Sequence, residues 1–204
     1  LVSAQTGSGK TVAFGLAIAE TLLEGAEKFT SFGDPVALVI APTRELALQV
    51  QTELVWLYKH TGARVISCVG GMDPKRERRQ LNDGAHIVVG TPGRLKDHLE
   101  RGALVISGLK AVVLDEADEM LDLGFREDLE FILDSTPKER QTLMFSATLP
   151  KTIMSMAKRF QRDALRLEIS NGERGHADIE YRAIKVAPNE VEAAVVNVLR
   201  FVEA

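Results

Sequence analysis

Five short runs rich in Val, Ile and Leu, separated by longer amphipathic stretches, limit what this chain can fold into. They are Val36 to Ile40, Arg64 to Val69, His86 to Val89, Ala111 to Leu114 and Thr142 to Phe145. Each is nearly continuous in apolar character, as a strand must be when both faces of a parallel sheet are covered. Between them, Arg44 to Lys59 carries Leu46, Val50, Leu54 and Leu57 on one helical face. Pro150 to Arg162 does the same with Ile153, Met156, Ala157 and Phe160. The expected fold class is therefore α/β, a mostly parallel sheet with helices on both faces, joined by right-handed crossovers. Ligands of such sheets sit beyond the carboxyl ends of the strands.

With 204 residues, 45% of them apolar, the chain can bury one sizeable core, and that core is expected within residues 1–170. Only Leu1, Val2 and Ser3 remain of a first strand. A polar stretch from Ser170 to Asp178 follows the core, with a linker expected at 171–178. Beyond it, Tyr181 to Val186 has strand character, and Val191, Val195, Val198 and Val202 are spaced as one helical face. Residues 179–204 read equally as the start of a second domain or as a final βα unit of the same sheet.

The net charge of −4 excludes nucleic-acid binding by bulk electrostatics, so any such contact must be local. The densest basic run, Lys75-Arg76-Glu77-Arg78-Arg79, reads as a solvated helix face rather than a phosphate clamp. Cys68 is the single cysteine and has no metal-ligand spacing with His60, His86, His98 or His176. No run is long and apolar enough for a membrane span, and there is no secretory leader, so a reducing, cytoplasmic setting is expected.

The loop Ala4-Gln5-Thr6-Gly7-Ser8-Gly9-Lys10-Thr11 lies between a strand remnant and an apolar helical segment, Val12 to Leu23. Gly7 and Gly9 let the backbone bend so that successive N–H groups converge on phosphates. Lys10 would reach the β- and γ-phosphates of a nucleotide, Thr11 would offer its hydroxyl to Mg²⁺, and the helix would point its positive dipole end at the anion. A second element completes the chemistry. The apolar strand Ala111 to Leu114 ends on Asp115, placed to hold the same Mg²⁺, and on Glu116, placed to activate the attacking water. Together these residues specify hydrolysis of a nucleoside triphosphate, as in P-loop NTPases, without saying what work the energy does.

Asp115-Glu116-Ala117-Asp118 spells DEAD, and the chain resembles the DEAD-box RNA helicases of superfamily 2. The resemblance also rests on Pro42-Thr43-Arg44-Glu45-Leu46-Ala47, Gly70-Gly71, Thr91-Pro92-Gly93-Arg94 and Ser146-Ala147-Thr148. The run Val113 to Phe125 is most similar to the bacterial cold-shock group. The resemblance implies a RecA-like fold, ATP with Mg²⁺, and RNA held by its backbone at Pro42, Thr43, Arg44, Gly70, Gly71, Thr91, Pro92, Gly93 and Arg94. Helix capping accounts for Thr43 and Thr91 equally well from the residues alone. The resemblance further implies that Ser146 and Thr148 hydrogen-bond with Asp118, coupling ATP state to strand separation; a plain cap before Pro150 is the alternative. The family's glutamine-containing adenine segment and its second RecA-like domain, with an arginine finger worth roughly 10³ to 10⁵ in rate, lie outside this chain. ATP-dependent unwinding of RNA is thus expected of the full-length protein. A nucleotide-gated RNA-binding module without turnover, for this chain on its own, and a DNA-directed translocase of the same superfamily are the competing expectations.

Overall fold

The computed structural model describes residues 1–3, 9–30, 32–168 and 184–202. The expected strand at Tyr181 to Val186 lies partly outside them; its described part, 184–186, is not strand. The expected linker, 171–178, lies wholly outside. The chain divides into two compact units, residues 1–170 and 171–204. Among the described residues of the second, a 3-10 turn at Pro188–Glu190 leads into an α-helix from Val191 to Val202.

In the first unit, β1 (Val2–Ser3), β2 (Ala37–Ile40), β3 (Val65–Cys68), β4 (Ile87–Gly90), β5 (Ala111–Leu114), β6 (Gln141–Ser146) and β7 (Leu167–Glu168) form a seven-stranded sheet, ordered β3-β4-β2-β5-β6-β1-β7. Every pairing in it is parallel. The strand β7, only two residues long, was not expected from the sequence. It pairs with β1 through Val2 opposite Leu167.

The near-continuous apolar runs are explained by how they are covered. Leu38 and Ile40, Ile66 and Cys68, Val88, and Val112 and Leu114 face one core cluster, while Ala37 and Val39, Val65, Ile87 and Val89, and Ala111 and Val113 face another. The side chains alternate between faces, yet both faces are buried, so every position must be apolar. Helices α1 (Lys10–Leu23) and α2 (Arg44–Leu57) close the second cluster with Phe14, Ile18, Leu22, Ala47, Val50 and Leu54. On the opposite face lie α4 (Pro92–Glu100), α5 (Ala117–Asp122), α6 (Arg126–Asp134) and α7 (Lys151–Phe160), anchored by Leu95, Met120, Leu129, Ile132, Ile153 and Met156. The short helix α3 (Pro74–Asn82) connects β3 to β4.

Register places the carboxyl ends of the central strands in one row, Cys68–Gly90–Ile40–Leu114–Met144. All the loops singled out in the sequence begin within a few residues of this edge. Those after β2, β3 and β4 occupy one half of it, and those after β5 and β6 the other.

Gly90 is where α4 must turn back against the sheet. A Cβ there would meet the Cys68 carbonyl oxygen at 2.5 Å and Leu95 at 2.7 Å. Backbone and a buried leucine cannot both yield, so Gly90→Ala is expected to destabilise the protein by roughly 1–3 kcal/mol. Chemical denaturation checks this, with an unchanged midpoint as the contrary result.

Candidate functional site

The first group of polar residues gathers where β5 ends beside the start of α1. Gly9 is the N-cap of α1, with φ of 76°, and Lys10 and Thr11 form the first buried turn. Residues Ala4, Gln5, Thr6, Gly7 and Ser8 of the expected phosphate loop lie outside the described residues. Lys10 Nζ stands 3.6 Å from Asp115 Oδ1 and 3.6 Å from Glu116 Oε1. Asp115 is 2% exposed, and neither its Oδ1 nor Lys10 Nζ has a hydrogen-bond partner. These are ion pairs without hydrogen bonds, an arrangement in which a buried ammonium and a buried carboxylate both retain unused capacity. Burial pushes the Asp115 carboxyl above its ordinary range; Lys10 opposes this and Glu116 adds to it. Glu116 itself holds the left-handed conformation, φ 53° and ψ 54°, as N-cap of α5. A residue with a long side chain is strained there.

Asp118, in the first turn of α5, reaches across to the end of β6. It accepts hydrogen bonds from Thr148 Oγ1 and Thr148 N–H, both at 2.8 Å, and from the Ala147 N–H at 3.4 Å. Burial raises its carboxyl, but the Thr148 hydroxyl and amide, together with Ser146 and the Ala147 amide, hold it below the ordinary range. The buried Ser146 hydroxyl donates to the Thr148 carbonyl at 2.6 Å, buttressing the same turn. The N-cap of α7 is Pro150, with no side-chain cap. Thr148 therefore binds the acidic box and does not cap the following helix.

A second group lies beyond β2, β3 and β4. Thr43 Oγ1 accepts from the Leu46 N–H at 3.2 Å and so does cap α2, behind a buried Pro42. Thr91 makes no side-chain cap on α4, although Pro92 fills the first helical position. Arg44 and Gly93 are exposed, as are Gly70 and Gly71. Arg44 lies over Gly71: a Cβ there would sit 2.9 Å from Arg44 Nη1. Arg94 Nη2 donates to the Met72 carbonyl at 3.2 Å, so α4 is tied to the loop that contains Gly70 and Gly71.

Two buried polar residues in this group escape a reading of the sequence. Within the basic run of α3, Lys75, Arg76, Arg78 and Arg79 are exposed as expected, but Glu77 is only 4% exposed. It meets His98 of α4, its Oε2 lying 2.7 Å from His98 Nε2. Helical spacing carried a weak signal, since Glu77 sits three residues past Pro74 and four before Leu81, on the face turned to the core. Cys68 joins them, and the three ligand atoms lie within 4.8 Å of one another, a proximity that residue spacing did not suggest. The chemistry does not favour a cation. Burial, then Glu77, push the Cys68 thiol up to about 12 against the opposing effect of Arg94. The Arg94 guanidinium, 3.6 Å from Glu77, already supplies the positive charge.

Sheet order, two-sided helical cover and polar loops along one edge define a RecA-like α/β domain. Residues 1–156 match the DEAD/DEAH box helicase family, and the chain belongs to that family. It is 44% identical over 183 residues to a DEAD-box ATP-dependent RNA helicase CshA of Bacillus licheniformis, covering 90% of this chain and 36% of that protein. With the Geobacillus kaustophilus CshA it shares 50% identity over 161 residues, covering 78% of this chain and 33% of the relative. The chain thus spans about a third of the length of these curated relatives. Among solved structures, a DEAD box protein from Methanococcus jannaschii superposes with a TM-score of 0.76 at 36% identity, over 97% of this chain and 51% of that one. A hypothetical ATP-dependent RNA helicase from Sulfolobus tokodaii gives 0.72 at 36% identity, over 82% and 47% respectively. No helix among the described residues is long and apolar enough to cross a membrane.

The two displaced carboxyls imply a pH dependence with two steps. Asp118, depressed in the fold, contributes stability that is present above the ordinary carboxylate range and lost as pH falls through its folded value. Asp115, raised in the fold, favours the native state at low pH, and that contribution is lost as pH rises through its elevated value. Thermal denaturation followed as a function of pH should show both steps in the nucleotide-free protein. Asp118→Asn is expected to remove the lower step and Asp115→Asn the upper one.

Proposed function

We propose that this chain is the nucleotide-binding, RNA-gripping domain of an ATP-dependent RNA helicase acting in the cytoplasm. The observation that carries the reading is Lys10, a buried ammonium held 3.6 Å from each of two carboxylates with no hydrogen bond to either. A buried charge left this way calls for further partners. Phosphate oxygens fit Lys10, and a cation with its bound water fits Asp115 Oδ1.

In this reading Lys10 binds the β- and γ-phosphates and the loop Ala4 to Gly9 wraps them with backbone N–H groups. The 14-residue helix α1 directs its positive end at the same anion. Thr11 and Asp115 would hold Mg²⁺, which neutralises charge on the phosphates. Glu116, fixed by its left-handed backbone at the strand end, orients and deprotonates the attacking water. The Asp118–Thr148 contact ties this acidic turn to the end of β6 and is the proposed coupling element.

RNA is the proposed polymer. Arg44, the Gly70–Gly71 turn and Arg94 meet on one half of the sheet edge, and Thr91 and Gly93 lie at the start of α4 beside them. Contacts of this kind go to phosphate and sugar and carry no base identity, so binding is expected to tolerate sequence. A second RecA-like domain in cis is the proposed partner for closure on ATP and RNA.

Two substitutions test the nucleotide site in the full-length protein. Lys10→Ala is expected to abolish tight nucleotide binding in a titration. Glu116→Gln should retain binding and lose turnover by roughly 10² to 10⁴; loss of binding instead would remove Glu116 as the base. Single-stranded RNA is expected to raise ATP turnover severalfold more than DNA of the same sequence. Equal stimulation points to a DNA-directed translocase. RNA binding that depends on nucleotide but comes without turnover points to a nucleotide-gated module.

A further inference from the structure

Glu77 is placed where the loop after β3 and the helix after β4 meet. Its Oε1 accepts from the Val69 N–H at 2.9 Å, gripping the residue that precedes Gly70. Its Oε2 lies 2.7 Å from His98 Nε2 and 3.6 Å from Arg94 Nη1, both one turn apart on α4. An ionised carboxylate only accepts, so the bond to His98 requires the imidazole proton on Nε2. Arg94 then closes the circuit, donating from Nη2 to the Met72 carbonyl just past Gly71. The side chains of Glu77 and Arg94 are 5% and 13% exposed, so the guanidinium depends on this carboxylate for its counter-charge.

We infer that Glu77 is a positioning residue for polymer binding. Its charge holds the Arg94 guanidinium beside the Gly70–Gly71 turn, so that α4 and the turn present one rigid phosphate clamp. This rests on the assignment of RNA to that half of the sheet edge. His98 orients Glu77 from below, and the four exposed cations of α3 take no part in the arrangement. A carboxylate this close to a phosphate clamp would be a repulsive liability if it faced the ligand. It is instead buried behind Arg94, where it raises the local order of the cation without meeting the anion.

The test uses the full-length protein and a single-stranded RNA oligonucleotide, with ATP turnover followed as RNA is titrated. Glu77→Gln keeps an acceptor for Val69 and removes the charge that holds Arg94. It is expected to raise the half-saturating RNA concentration by about tenfold while leaving kcat at saturating RNA and the KM for ATP within about twofold. Arg94→Gln should produce a similar rise. Each variant should lower the slope of log affinity against log salt by about 0.7, the share of one single-strand phosphate contact, which a loss of packing alone would not do. In the Arg94→Gln background, Glu77→Gln should add nothing further. His98→Gln offers a second route that leaves the carboxylate in place. Its expected effect is a smaller rise in half-saturating RNA, again absent once Arg94 is replaced. Additive effects, an unchanged salt slope, or tighter RNA binding by Glu77→Gln would overturn the inference while leaving the RNA assignment intact. No effect of Arg94→Gln itself would overturn both.

Discussion

The parallel sheet is apolar on both faces, and the rest of the molecule follows from that. Ile40, Val88 and Val112 cannot give way to polar residues, because each lies under a layer of helices. Hydrogen-bonding and charged chemistry is therefore confined to the ends of the strands. Parallel pairing puts the carboxyl ends together, and the row Cys68–Gly90–Ile40–Leu114–Met144 fixes the height at which each loop departs. Asp115 and Thr91 are thus positioned by strand register, a stiffer support than loop structure supplies.

Along that edge, buried charge is handled in two different ways. Glu77 is saturated, with the Val69 amide, the His98 imidazole and the Arg94 guanidinium around it, so its burial is compensated by hydrogen bonds as well as by charge. Lys10 faces Asp115 and Glu116 across 3.6 Å each, its Nζ and Asp115 Oδ1 make no hydrogen bond, and Glu116 holds a left-handed backbone conformation. The first group is closed by its own bonds, whereas the second leaves Lys10 Nζ and Asp115 Oδ1 without a hydrogen-bond partner. Neither arrangement is visible in a net charge of −4, because both are local and both are nearly neutral overall.

The sequence revealed most where one physical requirement dominated. The five apolar runs became β2 to β6 with no end shifted by more than one residue, because two-sided burial leaves a continuous signature. The strand β7 left no such trace, since two residues at the edge of a sheet need no apolar run. Hydroxyl roles were ambiguous for a different reason. A threonine after a strand and before a helix suits a cap or a ligand equally, and only the geometry separated Thr43, which caps, from Thr91 and Thr148, which do not. Glu77 was concealed by its four basic neighbours, which describe the solvated face of α3 and say nothing of the buried one.

By itself, then, the sequence determined the α/β class, the five central strands, the family and the residue types of the candidate site. Each depends on local composition, periodicity or contiguous motif, which survive in one dimension. The tertiary structure decided which of those residues meet: Lys10 with Asp115 and Glu116, Asp118 with Thr148, and Glu77 with Val69, His98 and Arg94. These partners lie between 8 and 106 positions apart and are brought together only by crossovers and strand register, which no linear spacing encodes.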